Sequence, residues 1–444
     1  MAPASPILEI NGGHQLLGKV KLTGSKNGTL AVLCACTLTQ AQVTLIGAPY
    51  ITDVINLVIV LQSIGVSAVW KSENVLQIQR PAILNLAGLD VRKASQTRAV
   101  ILLAACFAYE KNDFSLPLPG GCRLGLRSIE PHVDALQQLG LQVKFEDGGL
   151  RVRRCGRSAS TVTLMESGDT VTENALLAAI VTHQGPVRIE NASCNYMVQD
   201  LCLFLQSLGA TIGGVGTSSL TITSPTSSTM GTVSHSLLED PIEAFFFVAL
   251  AAVTKSTLQI NRVPTGFISL ELRCLVKMGL SIESSASYLA ANDFHELYDL
   301  KVSAVNLALL ALDGKVHPNV FPYGVNVDNL PALASVAATS HGTTRFHDWM
   351  YESRVSCFSL FKNFGVHVDI TDAHRAQVTG CQKLRAGDCD LPSALRPASM
   401  ILLIALAAPG VSRLQEFEVL YRGYDRLLPR LEQLGAKVSI NTTA

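Results

Sequence analysis

A chain of 444 residues is longer than one ordinary core can serve, so two domains are expected, each large enough to bury ample apolar surface. Nearly half the residues are hydrophobic and only 16% are charged, which excludes a largely disordered chain. Thirty-five basic residues balance 35 acidic ones, which gives no support to a general nucleic-acid or membrane-surface role, while leaving room for a local cationic pocket.

The amino terminus, Met1-Ala-Pro-Ala-Ser-Pro6, carries no charged segment running into an apolar one, so no export signal is expected. Eleven cysteines lie scattered without a Cys-x-x-Cys pair or zinc-ligand spacing, which predicts free thiols in a reducing cytoplasm. Residues 29–38 are apolar on nearly every side and predict a buried helix, as do 99–108 and the run 400–408, which is too short to cross a membrane. Between the first two, Val54, Leu57, Val58, Leu61 and Ile64 share one face at helical spacing and predict an amphipathic helix. Short strands are expected at 66–70 and 75–78.

The phrase Leu61-Gln-Ser-Ile-Gly65 then returns along the chain. It recurs as Leu136-Gln-Gln-Leu-Gly140, Leu205-Gln-Ser-Leu-Gly209, Leu275-Val-Lys-Met-Gly279, Phe361-Lys-Asn-Phe-Gly365 and Leu431-Glu-Gln-Leu-Gly435. The glycines stand 75, 69, 70, 86 and 70 residues apart, the mark of a repeat architecture. Each glycine is expected to end its helix in the left-handed conformation, where a Cβ would clash. The predicted unit is strand, buried helix, strand, surface helix, strand, strand (βαβαββ), in six copies. Three units per lobe would surround three buried helices with sheet, giving an α/β fold of two lobes. The only linker-like stretch is Ser224-Pro-Thr-Ser-Ser-Thr229, the expected hinge region.

Four local patterns carry chemistry. The first is Gly24-Ser-Lys26-Asn27, which taken alone also reads as a turn entering a helix. The second is Pro119-Gly-Gly-Cys122-Arg-Leu-Gly-Leu-Arg127-Ser-Ile-Glu130-Pro-His132, in which glycines around one thiol make a loop able to open and close over a cleft. The third is a set of arginines, Arg98, Arg354, Arg396 and Arg422, spread over different repeats. The fourth is Asp328 in Asn326-Val-Asp-Asn-Leu-Pro331, which also reads as a helix N-cap. His341, His347 and Asp348 fit no zinc pattern, so no metal and no cofactor are expected, and Arg151-Val-Arg-Arg154 reads as an exposed strand.

Together, six units in two lobes and these patterns resemble the enolpyruvyl transferase family over residues 8–439, most closely its sugar-nucleotide branch. The resemblance implies an inside-out α/β barrel with the site between lobes and the first strand crossing into the second lobe. It implies residues 24–232 as the first lobe, and 1–23 plus 233–444 as the second. It further implies transfer of the enolpyruvyl group of phosphoenolpyruvate to a hydroxyl of UDP-N-acetylglucosamine, the first committed step of peptidoglycan synthesis. Cys122 would be the acid and the thiol alkylated by fosfomycin, and Asp328 the candidate base. Lys26, Arg127, Arg396 and Arg422 would hold the donor, which carries a carboxylate and a phosphate suited to guanidinium forks, with Arg98 and Arg354 in support. Asn27 would meet the acceptor sugar, and Gly168, Asp169 and Thr170 the nucleotide.

One departure stands out. Where the family has Lys-x-Ser-Val-Gly-Ala-Thr beside the acceptor's diphosphate, this chain has Glu166-Ser-Gly168-Asp169-Thr170. Two carboxylates there disfavour a diphosphate, which keeps open a nucleoside monophosphate such as uridine monophosphate as acceptor. A non-catalytic relative has little use for the retained donor residues. An RNA 3′-terminal phosphate cyclase-like enzyme would need a histidine near the carboxyl terminus, and residues 414–444 contain none.

Overall fold

The computed structural model describes residues 6–120, 128–156, 158–183, 185–225, 231–380 and 383–442. Cys122 and Arg127 lie outside these residues.

Among the described residues the strands form six sheets, one for each sequence repeat. The third repeat shows the unit in full. Strand Thr161–Thr163 leads into a buried helix, Asp169–Thr182, then strand Val187–Glu190, helix Tyr196–Ser207, and the hairpin strands Thr211–Gly213 and Ser219–Thr223. The two strands flanking the buried helix pair in parallel, and the hairpin adds antiparallel strands. The glycine ending each unit's second helix has positive φ in all six copies, between 79° at Gly140 and 104° at Gly279. A side chain would be strained at each, which is why the glycine recurs.

Six buried helices form the two cores: α1 (Lys26–Ala35), α2 (Leu103–Phe107), α3 (Asp169–Thr182), α4 (Pro241–Val253), α5 (Leu330–Thr339) and α6 (Leu395–Ala407). Every residue of α4 is buried, as expected of a helix apolar on all sides. The first three pack into one hydrophobic core and the last three into another. The stretch 99–108, expected as one helix, begins as a 3-10 helix, Arg98–Leu102, before α2.

The opening strands of the first and fourth units are exchanged. Leu17–Lys21 precedes α1 but pairs in parallel with Thr257–Val263 of the second half. Thr232–Ser236 precedes α4 but pairs in parallel with Gln42–Ile46 of the first. A lobe boundary at 232/233 therefore separates this strand from the sheet it completes. Pro6–Gly12 also lies in the second half's territory, inserted between Gly410–Gln415 and Lys437–Thr442. At Gly12 an added Cβ would fall 2.1 Å from the Ala405 carbonyl oxygen, so the strand presses directly onto α6. The chain crosses between halves at 23–25 and 237–240, where Gly24 and Glu239 bridge; most of the expected hinge, 226–229, lies outside the described residues. No described helix is long and apolar enough to cross a membrane.

Candidate active site

The crossover sets two helix starts side by side. The Ser25 hydroxyl accepts from the Gly28 amide (3.1 Å) and caps α1, leaving Lys26 and Asn27 in its first turn. Asp240 caps α4 through the amides of Ile242 and Glu243, and its other oxygen accepts from the Lys26 amide at 3.2 Å. The side chain of Asn27 is half-buried and hydrogen-bonds to nothing among the described residues.

Two carboxylates gather the predicted cations from both halves. Lys26 Nζ lies 2.9 Å from Asp53 Oδ2, and Arg422 reaches the same carboxylate twice, Nε to Oδ1 at 3.0 Å and Nη2 to Oδ2 at 3.3 Å. This is a bidentate fork of the kind guanidinium makes best. Burial would raise the Asp53 pKa, but Lys26 and Arg422 outweigh it and hold the carboxyl below its ordinary value. Asp328 is the second centre, with Arg396 Nε at 3.4 Å and Arg354 Nη2 at 3.7 Å. Burial opposes ionisation here too, yet Arg396, Arg354 and Lys26 hold its carboxyl down. The carboxylate of Asp328 is not a helix cap, since the N-cap position of α5 belongs to Asn329.

Arg354 is fixed from three further sides. It donates to the Val327 carbonyl, stands 3.7 Å from Asp348 and lies 4.1 Å over the Tyr351 ring. Asp348 accepts from the amides of Met350 and Tyr351, so its place is in this supporting turn. Arg396, only 6% exposed, keeps one guanidinium nitrogen, Nη1, without a partner. Arg98 donates to the Ser128 carbonyl at 3.1 Å, just after residues 121–127 in sequence. Just before those residues in sequence, an added Cβ on Gly120 would sit 1.7 Å from the Ser95 carbonyl oxygen. A close backbone approach thus requires that glycine.

The departure at the third repeat resolves into two different carboxylates. Asp169, the first residue of α3, accepts from the Ser193 hydroxyl (2.6 Å) and the Asn195 amide (3.2 Å), so its oxygens are engaged within the chain. Burial raises its pKa, against those two hydrogen bonds. Glu166 is exposed and leans over Gly168, where an added Cβ would come 2.9 Å from its Oε1. Thr170 faces the buried ring of His132 at 3.3 Å.

Reading the sequence alone missed Asp53, which looks like an ordinary first-turn acid of the helix Thr52–Ser63. It also missed Asp240 and Tyr196. Only the Asp-Pro pair before the apolar run of α4 signalled the first, as a cap followed by proline.

Residues 10–313 match the EPSP synthase (3-phosphoshikimate 1-carboxyvinyltransferase) family. Over 99% of the chain and 98% of the relative, it is 34% identical to a UDP-N-acetylglucosamine 1-carboxyvinyltransferase of Bradyrhizobium diazoefficiens. A protein of the same name from Helicobacter pylori is 31% identical over 97% of this chain and 98% of its own length. Among solved structures, the enolpyruvyl transferase NikO from Streptomyces tendae superposes with a TM-score of 0.84 at 22% identity, covering all of both chains. EPSP synthase from Acinetobacter baumannii does so with 0.74 at 16% identity, covering 98% of this chain and 100% of that one.

Proposed function

The chain belongs to the EPSP synthase family and is a 1-carboxyvinyltransferase, and from that premise we propose that it transfers the enolpyruvyl group of phosphoenolpyruvate to a hydroxyl of UDP-N-acetylglucosamine, in the cytoplasm. The observation that carries the donor half is the four cations gathered on Asp53 and Asp328, with a buried Arg396 nitrogen left unpaired. A ligand with two separated anionic groups suits such a pair of centres. We assign the phosphate to Lys26 and Arg422, with Arg127, and the carboxylate to Arg396, with Arg354 behind it.

In the reaction so assigned, Asp328 accepts the proton of the acceptor hydroxyl, whose oxygen bonds to C2 of phosphoenolpyruvate while the Cys122 thiol protonates C3. The resulting ketal returns a methyl proton to the Cys122 thiolate, and the bond from C2 to the phosphate oxygen breaks, inorganic phosphate leaving with the proton that Asp328 had taken. The depressed pKa of Asp328 keeps it ionised, and so able to accept. Anionic donor groups engaging Arg396 and Arg354 would restore its basicity. Burial pushes the Cys106 and Cys202 thiols up to about 12, so they are poor acids at neutral pH; the acid role and fosfomycin alkylation are assigned to Cys122 on the family resemblance of its glycine-rich segment.

A second acceptor reading, a nucleoside monophosphate, is favoured by Glu166 at the mouth of α3. The discriminating experiment is phosphate release from phosphoenolpyruvate with UDP-N-acetylglucosamine and with uridine monophosphate, in wild type and Glu166→Lys. Efficient turnover of the diphosphate sugar is expected, with a lower KM for it in Glu166→Lys. Turnover of the monophosphate alone would replace the acceptor, and no phosphate release with either would sink the reading.

A further inference from the structure

Tyr196 opens the helix Tyr196–Ser207, directly after the turn whose Ser193 and Asn195 hold Asp169. Its side chain is 0% exposed, yet its hydroxyl has no hydrogen-bond partner. The ring packs edge-on against Phe267, from the other half of the chain, with centroids 5.7 Å apart. The phenol ring is thus held against a residue from the second half. The neighbouring Ser25 hydroxyl serves as the cap of α1 and makes no well-formed hydrogen bond to it.

A buried polar atom without a partner is destabilising, and native structures keep few of them. Two occur together here. The Tyr196 hydroxyl and Arg396 Nη1 belong to side chains within electrostatic reach of one another and of Asp328 and Asp240. A guanidinium N–H can only donate, and a phenol beside a cation donates more readily than it accepts. Two unpaired donors buried in one neighbourhood suit a ligand with two acceptor oxygens. The cations assigned to phosphate, Lys26 and Arg422, lie instead on Asp53.

We propose that Tyr196 is a donor-binding residue, its O–H donating to one carboxylate oxygen of phosphoenolpyruvate while Arg396 Nη1 donates to the carboxylate from its own side. This rests on the enolpyruvyl reading of the site and adds to it a contact that neither the repeat pattern nor the arginine set contains.

Tyr196→Phe removes the hydroxyl and leaves the ring on Phe267. The test is calorimetric titration of wild type and variant with phosphoenolpyruvate and, separately, with inorganic phosphate, which has no carboxylate. Phosphoenolpyruvate affinity is expected to fall about tenfold or more, the loss typical of a hydrogen bond to a charged group. Phosphate affinity is expected to stay as in wild type. The melting temperature of the free variant is expected to be equal or higher, because an unsatisfied group has gone. Unchanged phosphoenolpyruvate affinity in Tyr196→Phe would overturn the proposal, and so would an equal loss for both ligands, which would mark a merely structural role. Wild type that binds no phosphoenolpyruvate would overturn the donor reading along with this one.

Discussion

Arg422 commits its fork to Asp53, and through that carboxylate meets Lys26, so one anion of the chain joins two cations from opposite halves. A donor phosphate entering this place adds a second anion to a pair of cations already oriented. Arg422→Ala is accordingly expected to weaken phosphoenolpyruvate binding by about 1.5–3 kcal/mol, the usual loss for a charge-assisted contact in a cleft. Calorimetry checks this, and unchanged affinity would remove Arg422 from the site. The same substitution has a signature in acid. With its folded pKa depressed, Asp53 adds stability that is present above the unfolded carboxylate value of about 3.9 and lost as pH falls through the lower folded value. In Arg422→Ala that acid limb is expected to shrink.

Single residues were legible where their neighbours in sequence carried a pattern. Arg354, Arg396 and Asp328 meet as a unit although they come from separate segments. Asp53 was not legible, because a carboxylate in a first helical turn is common for reasons of the helix dipole alone. Tyr196 was hidden in the same way, since nothing in Asn195-Tyr196-Met197 announces that its hydroxyl is left unpaired.

At the scale of elements, α3 carries a group that works against its own helix. Glu173 is 1% exposed and its Oε1 has no partner, and burial, with Asp169 nearby, raises its pKa well above the ordinary carboxylate range. A raised folded pKa gives stability that is complete below the unfolded value, about 4.3, and is lost as pH rises through the folded one. Glu173→Gln takes the ionisation away while keeping the shape. It is expected to differ little from wild type below about pH 4.3 and to melt increasingly higher as pH rises above that value. Parallel melting curves for the two proteins across that range would contradict the assignment.

The repeat made most elements legible, because a left-handed glycine after an amphipathic helix is a local requirement that the sequence must display. What it did not display was helix type. The fifth unit's second helix, Val355–Phe364, is a 3-10 helix, and the sixth unit's is divided between Phe417–Arg422 and Leu427–Gln433. Apolar spacing of three to four residues serves either geometry, so packing decides.

The whole molecule depends on contacts between residues far apart in sequence. The reciprocal strand exchange ties the halves at the crossover, and further contacts join them away from it. Asn74 Nδ2 donates to Asp425 Oδ2 at 2.7 Å, two residues beyond the glycine that follows Arg422. His295 meets Gln199 at 3.1 Å, with its pKa lowered by burial to about 4, so the ring is neutral at neutral pH. The strand Thr232–Ser236 shows why an exchanged strand escapes a reading of the sequence. A strand's partner across 190 residues of chain, here Thr232 on Gln42, leaves no local trace. The central claim joins these scales, because donor cations from both halves must act on one substrate. Its most direct measurement is the stoichiometry of a reaction of the full chain with phosphoenolpyruvate and UDP-N-acetylglucosamine, the product being identified by mass spectrometry. The proposed function predicts equimolar phosphoenolpyruvate consumed, phosphate released and acceptor gaining one enolpyruvyl unit. Phosphate released without an enolpyruvyl product, or phosphoenolpyruvate left unconsumed, would contradict it.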